Sequence, residues 1–185
     1  MLVHRRALIK NLLIVAGGVL VLPACVQDKS KASILLKNMQ VSGEEEALLA
    51  EVSETIIPAT DAPGAKDLYT HLFALKMLDD LSSKEEQQTF LKGLNALDKF
   101  SRQKENKTFL EATPAQREQV LLAIEKGDDA PDDLRAFYKK LKRLTVQGYV
   151  TSKYYLTEVQ PYHLIPGNFK GCAPVKPSNK KAYTV

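Results

Sequence analysis

Tryptophan is absent from these 185 residues, cysteine occurs only at Cys25 and Cys172, and histidine only at His4, His71 and His163. Two cysteines allow at most one disulfide, and without cysteine pairs at ligand spacing a structural zinc site has nothing to build on. The chain has no Gly-x-Gly-x-x-Gly loop to cradle a dinucleotide, no Cys-x-x-Cys-His to attach haem and no Gly-x-Ser-x-Gly to present a nucleophile. A catalytic role would therefore rest on His71 or His163, and a lone histidine on a helix or in a coil is far more often structural or solvated. Sustained period-two alternation is also missing, which leaves no basis for a sheet. The formal charge of +4 looks basic, but Arg5, Arg6 and Lys10 precede the first acid; the other 23 cations face 22 acids and leave only +1. That balance is no nucleic-acid footprint. With 44% hydrophobic and 26% charged residues, the composition is that of an ordinary soluble domain with one core.

What is present begins with an export signal over residues 1–24. Arg5, Arg6 and Lys10 are followed by a run from Leu12 to Leu22 without a charge, shorter than the roughly 20 apolar residues a permanent span needs. His4-Arg5-Arg6-Ala7-Leu8-Ile9-Lys10 resembles the twin-arginine signal, which exports folded cargo; an ordinary secretory signal with paired arginines is the alternative. Leu22-Pro23-Ala24-Cys25 looks like a lipobox, in which Cys25 is acylated and anchors the mature chain, although Pro23 departs from the usual small residue. Conventional cleavage leaving a free Cys25 is the other outcome. Residues 25–42, polar and aperiodic, read as a tether.

Residues 43–158 read as an all-α domain of about five helices. Ser42 and three glutamates open the first, which runs to Ile57. A second is expected from about Ala65 to Leu81, apolar around more than half its girth and so central or covered on two sides. Ser83-Lys84-Glu85-Glu86 is a capping box ahead of Phe90, Leu91, Leu94, Leu97 and Phe100. Thr113-Pro114-Ala115-Gln116 caps a fourth, ended by Gly127. Pro131-Asp132-Asp133 opens a fifth, whose stripe of Leu134, Phe137, Tyr138, Leu141 and Leu144 extends through Tyr149, Tyr154 and Tyr155 toward Glu158. Opposite that stripe, Lys139, Lys140, Lys142 and Arg143 form either a solvated face or an attraction for anionic lipid or an acidic partner.

Between the first two helices, Ile56 to Asp67 form a stiff elbow: Pro58 and Pro63 fix φ, and Gly64 permits a positive φ. The elbow either punctuates two helices or, with Asp61 available, presents a contact surface that loses little entropy on binding. Residues 159–185 form an extended, Pro/Gly-rich tail whose Tyr162 and Phe169 have apolar surface to bury, along the helices or on another subunit. If Cys25 is acylated, Cys172 is left with three fates: a buried thiol, a disulfide to a partner, or a disulfide to a second copy.

The paired arginines, the Thr55 to Lys66 elbow and the Pro161-Tyr162 to Gly171-Cys172 tail together resemble the gluconate 2-dehydrogenase subunit 3 family, over nearly the whole chain. The resemblance implies a helical, non-catalytic small subunit accompanying a large FAD-dependent dehydrogenase of the glucose-methanol-choline type, often with a haem c subunit passing electrons to quinone. It also implies that this chain carries the twin-arginine signal for a partner lacking its own, and that FAD and the substrate pocket belong to that partner. Pro58, Asp61, Pro63, Gly64, Tyr162 and Phe169 are the expected partner contacts, on the periplasmic side of a bacterial membrane. A stand-alone envelope lipoprotein binding another protein or a lipid is the competing reading.

Overall fold

Capping side chains set where the helices begin. The computed structural model describes residues 31–127 and 129–160; Arg5, Arg6, Lys10 and Cys25, and Tyr162, Phe169 and Cys172 of the tail, lie outside the described residues. Within these bounds the chain forms α1 (Gly43–Ile56), α2 (Thr70–Leu81), α3 (Lys84–Glu105), α4 (Pro114–Lys126), α5 (Asp132–Val150) and a π-helical turn at Tyr155–Val159, with no strand among the described residues. Ser42 and Glu45 form a reciprocal capping box on α1, and Thr113 and Gln116 form another on α4 behind Pro114. At α3 only half of the expected box exists. Ser83 accepts from the Glu86 N–H, while the Glu86 carboxylate turns away to Lys140 of α5 at 3.4 Å.

The second helix starts later than its apolar pattern predicts. Residues 65–69 form turns, and Tyr69 takes the left-handed conformation at φ 53°, so the helix begins only at Thr70. Nor is α2 the central element. Leu72, Phe73 and Met77 are only partly buried and Leu81 is 72% exposed. The central helix is α5, which packs against α1, α2, α3, α4 and the π-helical turn. Its wholly buried Leu134, Phe137 and Leu141 meet Leu49 and Val52 of α1, Leu75 and Leu78 of α2, Phe90 and Leu97 of α3, and Ile124 of α4 in one core. Phe109, from the break between α3 and α4, joins that core fully buried.

Two glycines let α5 be approached closely. A Cβ on Gly93 of α3 would lie 2.4 Å from the Asp133 carbonyl oxygen and from Phe137 Cβ, and one on Gly148 would lie 2.9 Å from the Phe73 ring. Beside the first contact the Phe90 and Phe137 rings pack tilted at 4.8 Å. The aromatic pair adds to the area it buries.

Residues 31–42, expected to belong to a tether, are bound to the body. The buried Asp79 carboxylate accepts from the backbone N–H groups of Lys37 at 2.7 Å, Asn38 at 2.7 Å and Met39 at 2.9 Å, while Asn38 Nδ2 donates to the Asp79 carbonyl at 2.8 Å. Met39 and Val41 enter the core, Ser33 donates to Glu46, and the Ala32 N–H donates to the Val41 carbonyl at 3.3 Å. Apolar residues scattered in a polar stretch carry no helical or strand period, so the sequence reads as a linker although its side chains have a place to go. Gln87 closes the same corner, its amide donating to the carbonyls of Leu78, Asp79 and Ser82 at the end of α2.

Burial alone would raise the Asp79 pKa, but the three backbone donors outweigh it and hold the carboxyl below its ordinary value. A depressed carboxylate contributes stability that is fully present above its unfolded pKa of about 3.9 and is lost as pH falls through the folded value. Asp79→Asn should cost about 3 kcal/mol at neutral pH by weakening bonds to a charged acceptor. Denaturant unfolding measures the loss, and limited proteolysis should newly cleave within residues 31–42. Gly93→Ala should cost about 1–3 kcal/mol by overpacking, read from the same unfolding curves with no loss of helical circular dichroism.

Candidate functional site

The elbow between α1 and α2 is held from beneath by carboxylates. Glu54, on the last turn of α1, accepts from the Ala59 N–H at 2.9 Å with one oxygen and from the Lys66 N–H at 2.9 Å with the other. It thus bridges the base of the loop, beside the Ala65 N–H to Ile57 carbonyl bond at 2.9 Å. Asp67 accepts from the Gly64 N–H at 3.0 Å, and the Thr60 N–H donates to the Ala62 carbonyl at 2.9 Å. From the far side, the Tyr149 hydroxyl of α5 donates to the Pro63 carbonyl at 3.0 Å.

The role of Gly64 differs from the sequence expectation. Its φ is not in the left-handed region, where Gly127 is the one glycine found among the described residues. A Cβ at residue 64 would stand 2.4 Å from both Glu54 carboxylate oxygens and 2.7 Å from the Ala59 nitrogen. Glycine is needed there for space, because a carboxylate occupies the position a side chain would take. Gly64 and Ala65 are buried, Pro63 is partly buried, and Pro58, Ala59, Thr60 and Asp61 are exposed. Of the contacts named from sequence, Pro58 and Asp61 therefore stand at the rim, whereas Gly64 supports the loop from inside.

A second set of charges ties the elbow to α4. Glu51 pairs with both Lys66 and Arg117, and Arg117 also donates to the carbonyls of Phe109 at 2.9 Å and Leu110 at 2.7 Å. Burial pushes the Glu51 carboxyl up, but the two cations outweigh it and leave its pKa below the ordinary value. An arginine that donates to one carboxylate and two carbonyls at once suits this position better than lysine would. Sequence periodicity contains no trace of the link, since Glu51 and Arg117 are separated by most of the fold.

Next to the elbow, Tyr69 is 65% exposed, and its ring lies 6.3 Å from that of His71. His71 is buried; burial lowers its pKa, with Glu46 opposing. The imidazole is thus neutral at ordinary pH, its Nδ1 and the neighbouring Thr70 hydroxyl having no hydrogen-bond partner among the described residues. Among the described residues no cluster of three or more His, Cys, Asp or Glu is arranged to hold a metal ion, and no helix is long and apolar enough to cross a membrane.

Fold and loop together define a small all-α module that presents a shaped, rigidly backed surface. The sequence pattern of the gluconate 2-dehydrogenase subunit 3 family matches residues 43–167, and the chain belongs to that family, named for one subunit of a dehydrogenase complex. The match takes in all five helices and the elbow. Comparison with curated proteins and with solved structures finds no match to either.

Because Glu54 and Gly64 share one space, their substitutions should not add. Gly64→Ala should cost about 1–3 kcal/mol, and Glu54→Ala a similar amount through the loss of two hydrogen bonds to a charged acceptor. In the double variant the second change should cost clearly less than it does alone; a double-mutant cycle in denaturant checks this.

Proposed function

We propose that this chain is the non-catalytic small subunit of a membrane-associated, FAD-dependent dehydrogenase of the gluconate 2-dehydrogenase type, stabilising the large flavoprotein and carrying its export signal. The observation that carries the reading is the family match across the entire helical body, joined to Arg5-Arg6 ahead of an uncharged apolar run. The architecture supports it. A loop held by Glu54, Asp67 and Tyr149 loses little freedom when a second protein closes over Pro58 and Asp61, which is the requirement for a contact made by a preformed surface. FAD and substrate belong to the partner in this reading, and haem c to a third subunit. The tail, through Tyr162 and Phe169, wraps the partner, and Cys172 either stays a buried thiol beneath that contact or bridges to the partner or to another copy. Acylation at Cys25 holds the assembly on the periplasmic face of a bacterial membrane.

Changing Arg5 and Arg6 together to lysine should leave the dehydrogenase activity in the cytoplasm, measured by dye-linked oxidation in fractionated cells. Activity that still reaches the envelope would reject the escort role and favour a stand-alone envelope lipoprotein. Cys25→Ala should release the protein from washed membranes if acylation is its anchor.

A further inference from the structure

Away from the elbow, α4 and α5 enclose a groove of about 550 Å³ floored by Ile124, Tyr138 and Val146 and edged by Arg135, Lys139 and Arg143. Residues at four-residue steps fall on one face of a helix, each about 6 Å further along it, so these three cations form one row. Arg135 is paired with Asp132. Lys142 and Glu125 line the groove too and neutralise each other at 2.7 and 2.9 Å, the Tyr138 hydroxyl donating to the same carboxylate at 3.3 Å. Lys139 and Arg143 have no acid among the described residues. Like charges four residues apart on a helix repel, and no ion pair among the described residues offsets that between Lys139 and Arg143.

Two of the three apolar residues are recessed. Ile124 and Tyr138 are buried, whereas Val146 is 44% exposed. A bilayer is best met by apolar side chains that project; a floor sunk between two helices is reached by a side chain inserted from a partner.

We propose that this groove docks an acidic, amphipathic segment of the dehydrogenase partner, with carboxylates set against Lys139 and Arg143 and an apolar side chain lying over Ile124, Tyr138 and Val146. The inference rests on the accessory-subunit reading above and adds a second contact, separate from the elbow. Charge complementarity selects the occupant: two unpaired cations one helical turn apart match two acids one turn apart on a facing helix.

The test uses the full chain co-expressed with its dehydrogenase subunit and compares Lys139→Glu/Arg143→Glu with Lys92→Glu/Lys99→Glu, an equal charge change on exposed α3 positions. Wild-type affinity should fall with added salt. The groove variant should bind at least about tenfold more weakly and lose most of the salt dependence, while the α3 variant stays within about threefold. Circular dichroism melting establishes that each variant is folded. A benzophenone side chain replacing Val146 should cross-link to an Asp/Glu-rich segment of the dehydrogenase, which keeps the proposal open to test should the double variant unfold. If the groove variant binds as the α3 variant does and the cross-link is missing, the groove is rejected while the accessory role stands. If the wild-type chain does not bind the dehydrogenase at all, both readings fall. If the groove variant instead loses only binding to phosphatidylglycerol vesicles, the face serves a bilayer and the proposal is overturned.

Discussion

The fold depends on how closely other helices can approach α5. Gly93 removes the side chain that would keep α3 off Asp133 and Phe137, and Gly148 removes the one that would meet Phe73. Close approach at two points along one helix sets the depth of the core on both sides, because packed interiors do not tolerate gaps or added methylenes well. The elbow inherits its position from the same helix, one residue beyond Gly148, where Tyr149 reaches the Pro63 carbonyl. The cationic groove lies on α5 too. Core, loop and groove are therefore fixed relative to a single element.

Around that axis, acidic side chains do much of the work usually left to backbone ladders. Asp79 gathers three consecutive N–H groups, Glu54 joins two across the base of the elbow, and Asp98 takes that of Phe109 at 3.0 Å. Irregular backbone must satisfy its donors when it packs against a core. A carboxylate does so strongly, accepting more than one bond and gaining from its charge. Each of these acids sits on a helix and reaches into a neighbouring loop, so helices carry the ordered irregular segments and do more than stack.

This division explains which parts were legible in the sequence. The five helices, the caps at Ser42 and Thr113, the stop at Gly127 and the stripe of α5 follow from local spacing and were readable without any structure. The start of α2 was not: Leu68 and Tyr69 continue its apolar period, but Tyr69 takes a left-handed turn that no propensity rule favours. The elbow was recognisable as rigid from Pro58 and Pro63. Its actual support, Glu54 with Gly64 making room, depends on two residues whose proximity only the folded loop creates. The docking of residues 31–42 was invisible for the same reason, since Asp79 is one of many acids until the chain brings it beneath Lys37, Asn38 and Met39. The export signal, Cys25 and the tail residues Tyr162, Phe169 and Cys172 lie outside the described residues, and their roles rest on sequence and family.

The clamp at Asp79 has a mechanical side. It takes up most of the stretch between Cys25 and the first helix, because the chain is already held where the Ala32 N–H meets the Val41 carbonyl. From an acylated Cys25 to Lys31 only six peptide links would be left, a leash whose full extension is about 20 Å at 3.3–3.6 Å per residue. A body of this size on so short a leash cannot swing freely. With Cys25 acylated, it would ride against the headgroups with a restricted set of orientations, and any protein bound to it would share that restriction.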